Sequence, residues 1–285
     1  MIESEQLNNP GSDLNKNVTY QTVATLNGVT WIIDGYKNFA TSPFIWVFVV
    51  FLYMTILGTL SIIPFVSIIS IIIAPIFMAG LMICARENKY NQTFFIKNLF
   101  DGFTLNGGKL AVLGAINLGI FFLLIIFVSI TVFILFLGFI DNLENIDNIE
   151  TIVETNLFIQ YDILLALIIL LLIATLILPV IMAFWFAPAL IVFHDVDIFV
   201  ALKLSFMGYL KNILPYSIYS SFFMIIFIIA VIPIIIIAVV LNETEPTILQ
   251  ISLIVIIAII EVLVFVPVFF TSIYASYEDI FLTEK

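Results

Sequence analysis

The chain has little of what enzymes and metalloproteins use for chemistry. Its 285 residues include one cysteine and one histidine, which excludes an internal disulfide and any multi-cysteine metal or cluster site. Neither a Gly-x-Ser-x-Gly nor a His-Glu-x-x-His motif occurs, and Gly107-Gly108-Lys109 lacks the flanking glycines of a phosphate loop. We therefore expect no enzymatic activity, no metal and no cofactor.

Charge is scarce as well, and long apolar runs take its place. Charged residues make up 10% of the chain and apolar residues 63%, whereas soluble domains contain roughly a quarter charged residues. At 1.5 Å per residue, about twenty residues cross the hydrocarbon core of a bilayer. The runs predict six transmembrane helices, at 43–63, 65–84, 110–140, 163–193, 213–241 and 248–276.

The predicted fold class is therefore all-α integral membrane, with one six-span domain over 21–285 behind a disordered polar tail over 1–20. We expect a tight turn at Pro64 between the first two spans. Because proline disrupts helical hydrogen bonding, we also expect kinks at Pro179 and Pro188 in the fourth.

The basic residues predict the orientation of the chain. All nine Lys and Arg residues fall in segments on one side of the predicted spans, while the segments around 140–162 and 242–247 carry only acids. The positive-inside rule then places both termini in the cytoplasm. The net charge of −11 argues against nucleic acid as a partner, and no cleavable signal peptide is visible near the start.

Amphipathic segments precede the odd-numbered spans, at about 29–39, 95–103 and 199–210, and we expect them to form cytoplasmic interfacial helices. An acidic amphipathic helix is predicted at 143–154 on the outer side, where its charges either attract cations or simply keep the loop solvated.

Each of these cytoplasmic segments ends in a similar tripeptide: Asp34-Gly35-Tyr36, Asp101-Gly102-Phe103 and Met207-Gly208-Tyr209. Proline also recurs in the even-numbered spans. These marks predict three parallel repeats, each an interfacial helix followed by a membrane hairpin. Mitochondrial carriers also contain three hairpins, but their Pro-x-[Asp/Glu]-x-x-[Lys/Arg] motif is absent from this chain.

Three stretches carry a resemblance to a family. They are Trp-Phe-Ala-Pro-Ala-Leu-Ile-Val-Phe-His-Asp-Val at 185–196, Ala-Leu-Lys-Leu-Ser-Phe at 201–206 and Ser-Ile-Tyr-Ala-Ser-Tyr-Glu-Asp-Ile-Phe at 272–281. The chain resembles a family of uncharacterised multipass inner-membrane proteins of proteobacteria. The resemblance implies a bacterial inner-membrane location and no assigned activity. Such relatives often carry Arg where this chain has Glu278.

Glu261 is the strongest candidate for a site residue, because it lies near the middle of the sixth predicted span. An ionised carboxylate at that depth costs about 2.5–3.5 kcal/mol and should face a water-filled cavity or the bundle interior. It is either a proton or cation site or a protonated packing residue that is hydrogen-bonded to a neighbouring hydroxyl or carbonyl. Tyr53, Thr55 and Thr175 lie at similar depth and are the predicted partners.

A weaker candidate cluster is His194, Asp195 and Asp197, at the cytoplasmic end of the fourth span. One histidine and two carboxylates are too few ligands to identify a metal. A helix cap is the alternative interpretation of these residues.

Two functions remain open. The first is a non-enzymatic scaffold or accessory component that contacts the lipid bilayer and a membrane-protein partner or further copies of itself. Small residues of the third span favour it, namely Gly108, Ala111, Gly114, Ala115 and Gly119. The alternative is a small-solute or ion transporter that uses Glu261.

Overall fold

The computed structural model describes residues 18–144, 155–242 and 248–282, and all regular secondary structure within these ranges is helical. The helices are α1 (Asn27–Thr41), α2 (Pro43–Ile62), α3 (Ser67–Asn91), α4 (Asp101–Glu144), α5 (Thr155–Trp185), α6 (Ala187–His194), α7 (Ile198–Lys211), α8 (Ile213–Asn242) and α9 (Ile248–Phe281). A 3₁₀ helix, Ile96–Phe100, precedes α4. Six helical stretches, formed by α2, α3, α4, the α5–α6 pair, α8 and α9, are long and apolar enough to span a membrane. The predicted class, an all-α multipass membrane protein, is confirmed.

The proline positions shape the turns and bends of the spans. The chain turns over residues 63–66, around Pro64, and Phe65 there takes a left-handed φ of 66°. The fourth span breaks at Phe186, and Pro188 follows in the first turn of α6, where a missing N–H costs nothing. Pro179 lies inside α5. The bend is therefore associated with Pro188, and α5 continues through Pro179.

The three amphipathic segments are helical, but one of them joins its span. The first forms α1 and the third forms α7. The second forms the 3₁₀ helix and the start of α4, which passes into the span through an irregular residue, Asn106, with φ −145° and ψ 33°. The acidic helix predicted at 143–154 lies almost wholly outside the described residues, as does most of the predicted tail.

The core lies at one end of the bundle, where the odd-numbered spans begin and the even-numbered spans end. We call this the packed end. Its largest fully buried side chains are Trp31, Trp46, Tyr216, Tyr274, Tyr277, Phe77, Phe186, Leu81, Met82, Leu99, Leu110 and Leu113. α3 is the most buried of the spans, because 61% of its apolar stretch is buried, against 11% for α4. Towards the other end, the side chains of α4, α8 and α9 are mostly exposed, for example Leu123, Ile229 and Ile256.

Two glycines of the repeated tripeptide bring amphipathic segments into direct contact with spans. A Cβ added to Gly35 would lie 2.2 Å from the Ser272 Oγ in α9. A Cβ added to Gly102 would lie 2.3 Å from the Ile76 carbonyl oxygen in α3. Both distances are too short for a real side chain, so glycine sets the spacing between the helices at these points. The third segment, α7, lies against α5 and α6.

An asparagine just after the first two tripeptides joins its segment to another helix. Asn38 Nδ2 donates to the Ala85 carbonyl of α3 at 2.9 Å, and Asn106 Nδ2 donates to the Ile191 carbonyl of α6 at 3.0 Å. Each segment is thereby held between two helices.

The third segment, α7, is joined to the rest of the protein through the residues before α1. Asn212 Nδ2 donates to the Gln21 carbonyl at 2.9 Å, and its Oδ1 accepts from the Val23 N–H at 2.9 Å. The Gln21 N–H in turn donates to the Ile280 carbonyl of α9 at 3.0 Å. Residues 18–26 therefore lie between the third amphipathic segment and the last span. Val18, the first residue that the structure describes, contacts the core.

Candidate functional site

Glu261 lies on α9 at the wall of a cleft between α1, α8 and α9. The cleft has a volume of about 540 Å³. The residues that line it are Ile32, Ile33, Tyr36, Phe223, Ile226, Ala230, Ile260, Glu261, Val264, Phe265 and Val268. Glu261 is the one charged residue of this lining, and its side chain is partly exposed. The cleft beside Glu261 is apolar, whereas the sequence analysis expected a water-filled cavity or the bundle interior.

Tyr53 lies closer to the packed end than Glu261 does. Its ring packs edge-on against Phe77 at 6.0 Å and Phe270 at 5.9 Å between ring centroids. Phe270 follows Glu261 by nine residues (270 − 261), which is about 13 Å along a helix. Tyr53 therefore belongs to an aromatic cluster of α2, α3 and α9, and it does not line the Glu261 cleft.

The two predicted threonine partners bond to their own helices. Thr55 Oγ1 donates to the Phe51 carbonyl at 2.8 Å, and Thr175 Oγ1 donates to the Leu171 carbonyl at 2.7 Å. Both residues are exposed. Back-bonding of this kind satisfies a hydroxyl within its own helix, and the structure does not bring either threonine into the cleft.

His194 is buried at the end of α6 and packs as an aromatic side chain. Its ring lies 6.3 Å from that of Tyr277. Both ring nitrogens are buried without a hydrogen-bond partner within the described ranges. No group of three potential metal ligands occurs in the described part of the chain.

The two aspartates that follow His194 act at helix ends. Asp195 follows α6 in a left-handed conformation, with φ 52°, and its N–H donates to the Ile191 carbonyl. Its carboxylate pairs with Lys109 Nζ of α4 at 2.7 Å. Asp197 is the N-cap of α7 and accepts from the Phe199 N–H at 3.3 Å. The cluster therefore joins α4, α6 and α7.

A second, polar cleft of about 440 Å³ lies between α1, α3 and α9, and the sequence analysis missed it. On one side of it, Asp279 Oδ2 accepts hydrogen bonds from Asn27 Nδ2 at 2.8 Å and from Trp31 Nε1 at 2.9 Å. Asp279 is 252 residues from Asn27 and 248 from Trp31 in the chain, so only the fold brings it to them. Asp279 anchors the start of α1 on α9.

On the other side of the polar cleft, Glu278 bonds to two consecutive residues of α3. Its carboxylate accepts from Tyr90 Oη at 2.6 Å and forms an ion pair with Lys89. This pairing gives Glu278 a role within the protein itself. A sequence signal existed in hindsight, since a basic residue ending one span and an acid ending another can pair at one membrane surface.

Together, the carboxylates of the polar cleft hold helices to one another, while Glu261 lines the apolar cleft between α1, α8 and α9. The chain matches no protein-family model, no curated protein and no solved structure.

Proposed function

We propose that the chain is a non-enzymatic multipass protein of the bacterial inner membrane that scaffolds or assists a membrane-protein partner, or assembles with copies of itself. One observation carries this proposal: α4 presents an outward face with small residues. Ala115 and Gly119 are exposed and four residues apart, and nothing lies within 4 Å of a Cβ added to Gly119. A small-xxx-small pair of this kind lets a second helix approach closely in a bilayer.

The neighbouring Gly114, unlike Gly119, faces another helix of the same chain. A Cβ on Gly114 would lie 2.1 Å from the Ile72 carbonyl oxygen of α3. The inward face of α4 is thus occupied by α3, while the outward face with Gly108, Ala115 and Gly119 is free for a partner within the part of the chain described.

The hydroxyl groups of the spans also support a structural role. Ser61, Thr131 and Ser221 each donate to a carbonyl of their own helix, as Thr55 and Thr175 do. A transporter of polar solutes usually has several polar groups directed at a shared path, and these hydroxyls do not form one.

The orientation that we propose places the packed end in the cytoplasm. Arg86, Lys97, Lys109 and Lys203 belong to segments at this end, and Lys and Arg are retained on the cytoplasmic side of inner-membrane proteins. The resemblance to uncharacterised inner-membrane proteins of proteobacteria supports the same location, with both termini in the cytoplasm.

We also propose that the six spans are three parallel hairpin repeats closed into a ring. The helix contacts support this arrangement. The amphipathic segment of each unit lies on the even-numbered span of the unit before it: α1 on α9, the start of α4 on α3, and α7 on α5 and α6. Parallel repeats related by an axis along the membrane normal produce this kind of closure.

The test of the scaffold role is the assembly state after gentle extraction from the native membrane, measured by native mass spectrometry. We expect a stoichiometric protein partner or a homo-oligomer, and we expect Gly119→Leu to release it. Gly58→Leu on α2 is the matched control, because Gly58 also has nothing within 4 Å. A monomer without a protein partner in the wild type would contradict the proposal, as would equal effects of the two variants.

A second candidate function is transport of a small solute or ion with Glu261 as the proton or cation site, and the cleft beside this carboxylate favours it. Reconstitution in liposomes that contain a pH-sensitive dye tests this function directly. Proton movement that depends on the protein and is lost in Glu261→Gln, with expression unchanged, would support it. A wild-type protein that moves no protons would count against proton-coupled transport.

A further inference from the structure

The cleft beside Glu261 opens sideways, towards the lipid. Its lining includes Ile33, Ile226 and Ile260, which are 48%, 42% and 56% exposed. These are side chains of membrane-spanning helices or of α1, which packs on them. A ligand of this cleft therefore enters from the bilayer. The cleft volume, about 540 Å³, lies within the range of roughly 300–1,000 Å³ that is typical of small-molecule sites.

Glu261 determines the charge that such a ligand should have. It is the only charged residue between Pro246 and Tyr277 in the sequence, and the cleft lining contains no Lys, Arg or His. An ionised carboxylate at this depth is costly unless a cation pairs with it. The protein supplies no such cation within the cleft.

A bare metal ion does not fit this site. Ca²⁺ takes six to eight oxygen ligands and Mg²⁺ demands an octahedral set. Besides Glu261, the lining offers one side-chain oxygen, that of Tyr36, and the exposed lining surface is apolar. One carboxylate and one phenolic oxygen are too few to form the coordination shell of either ion.

We propose that the cleft binds a lipophilic organic cation taken up from the bilayer. The apolar body of the ligand packs against α8 and α9, and its positive charge pairs with the Glu261 carboxylate. The Glu261 side chain forms part of the lining and is partly exposed, and this binding mode requires its carboxylate to turn into the cleft. The inference names a ligand class for the cleft of the second candidate function. Binding does not require transport, so a chain that moves no protons can still bind the cation.

The experiment compares two ions of the same shape and opposite charge, tetraphenylphosphonium and tetraphenylborate. The full chain is placed in phosphatidylcholine nanodiscs, and equilibrium binding is measured with empty nanodiscs subtracted. We expect saturable binding of tetraphenylphosphonium at about one per chain and no saturable binding of tetraphenylborate. Equal binding of both ions would mean that the cleft is an apolar slot, of the kind an acyl chain fills, and would overturn the proposal. Absence of saturable phosphonium binding would overturn it as well.

Variants then test whether the Glu261 carboxylate is the group that pairs with the bound cation. We expect Glu261→Gln to weaken phosphonium binding by roughly tenfold or more, since it removes one partner of a desolvated ion pair, and Glu261→Asp to retain most of the affinity. Glu87→Gln is the charge-matched control: Glu87 bonds to Asn91 at 2.6 Å on α3, away from the cleft. Ala230→Phe, which fills the cleft without changing charge, should abolish binding. Wild-type affinity in Glu261→Gln or in Ala230→Phe would refute the assignment.

Discussion

Ser205 of α7 bonds to the backbone N–H of Phe186, the residue at which the fourth span breaks. The Ser205 hydroxyl accepts from this N–H at 2.9 Å and donates to the Met182 carbonyl at 2.8 Å. Ser205 is fully buried. The break leaves backbone groups without helical partners, and one side chain from the third amphipathic segment satisfies two of them.

Ser205→Ala should therefore destabilise the protein. It leaves a buried donor and a buried acceptor unsatisfied, which costs about 1–3 kcal/mol per group. Thermal unfolding in detergent, followed by far-UV circular dichroism, measures the effect. Ser217→Ala on α8 is the control, because that exposed hydroxyl bonds only within its own helix. A melting temperature unchanged in Ser205→Ala would mean that the bend does not depend on this bridge.

Gly114→Ala should be destabilising by about 1–3 kcal/mol, the usual range for overpacking. The added methyl group would meet the Ile72 backbone of α3, which cannot move aside as the end of a side chain can. Gly58→Ala should be neutral or slightly stabilising, because its surroundings are open and alanine favours helix. The unfolding midpoints of both variants, compared with that of the wild type, measure these changes in stability. Equal losses would show that α3 and α4 are not in direct contact there.

Cys84 should be unreactive in the folded protein and reactive once the packed end opens. Its side chain is fully buried in α3. Maleimide labelling before and after unfolding in SDS, read by intact mass, measures this. A Cys84→Ser, Lys97→Cys double variant provides an exposed thiol as the positive control. Rapid labelling of native Cys84 would contradict the burial of α3.

The proposed orientation predicts the behaviour of alkaline phosphatase fusions, which are active only outside the cytoplasm. A fusion after residue 150 should be active, and a fusion after residue 285 should be inactive. The asymmetry of Lys and Arg along the chain is the reason. The reverse pattern of activities would invert the orientation.

Local chemistry predicted the helices and several of their ends. The turn at Pro64 and the amphipathic helix that became α1 were both visible, because proline and helical periodicity act over a few neighbouring residues. The join between the second amphipathic segment and its span was less predictable. The irregular residue there is Asn106, whose side chain donates a hydrogen bond to the Ile191 carbonyl of α6.

The candidate sites, too, were predictable only where neighbouring residues in the sequence determine them. The position of Glu261 near the middle of a predicted span singled it out, but that position could not identify which residues lie beside it. Depth in a membrane is one coordinate, and residues such as Thr55 and Thr175 share it while facing outward. The pairing of Asp279 with Asn27 and Trp31 was beyond reach for the same reason. Periodicity states which face of a helix is apolar and leaves open which helix covers it.

The segment at residues 18–26 gives the protein an order of assembly. Gln21 bonds to Ile280, so a segment that is synthesised before α1 gains this partner only after this part of α9 has been made. Hairpins inserted one after another into the bilayer can form their own helices at once. The packed end cannot close until the ribosome has released the final turns of α9. A chain that stalls before that point leaves Trp31 without Asp279 and Tyr216 without Ser276, so two of its largest buried aromatic side chains lack their polar partners.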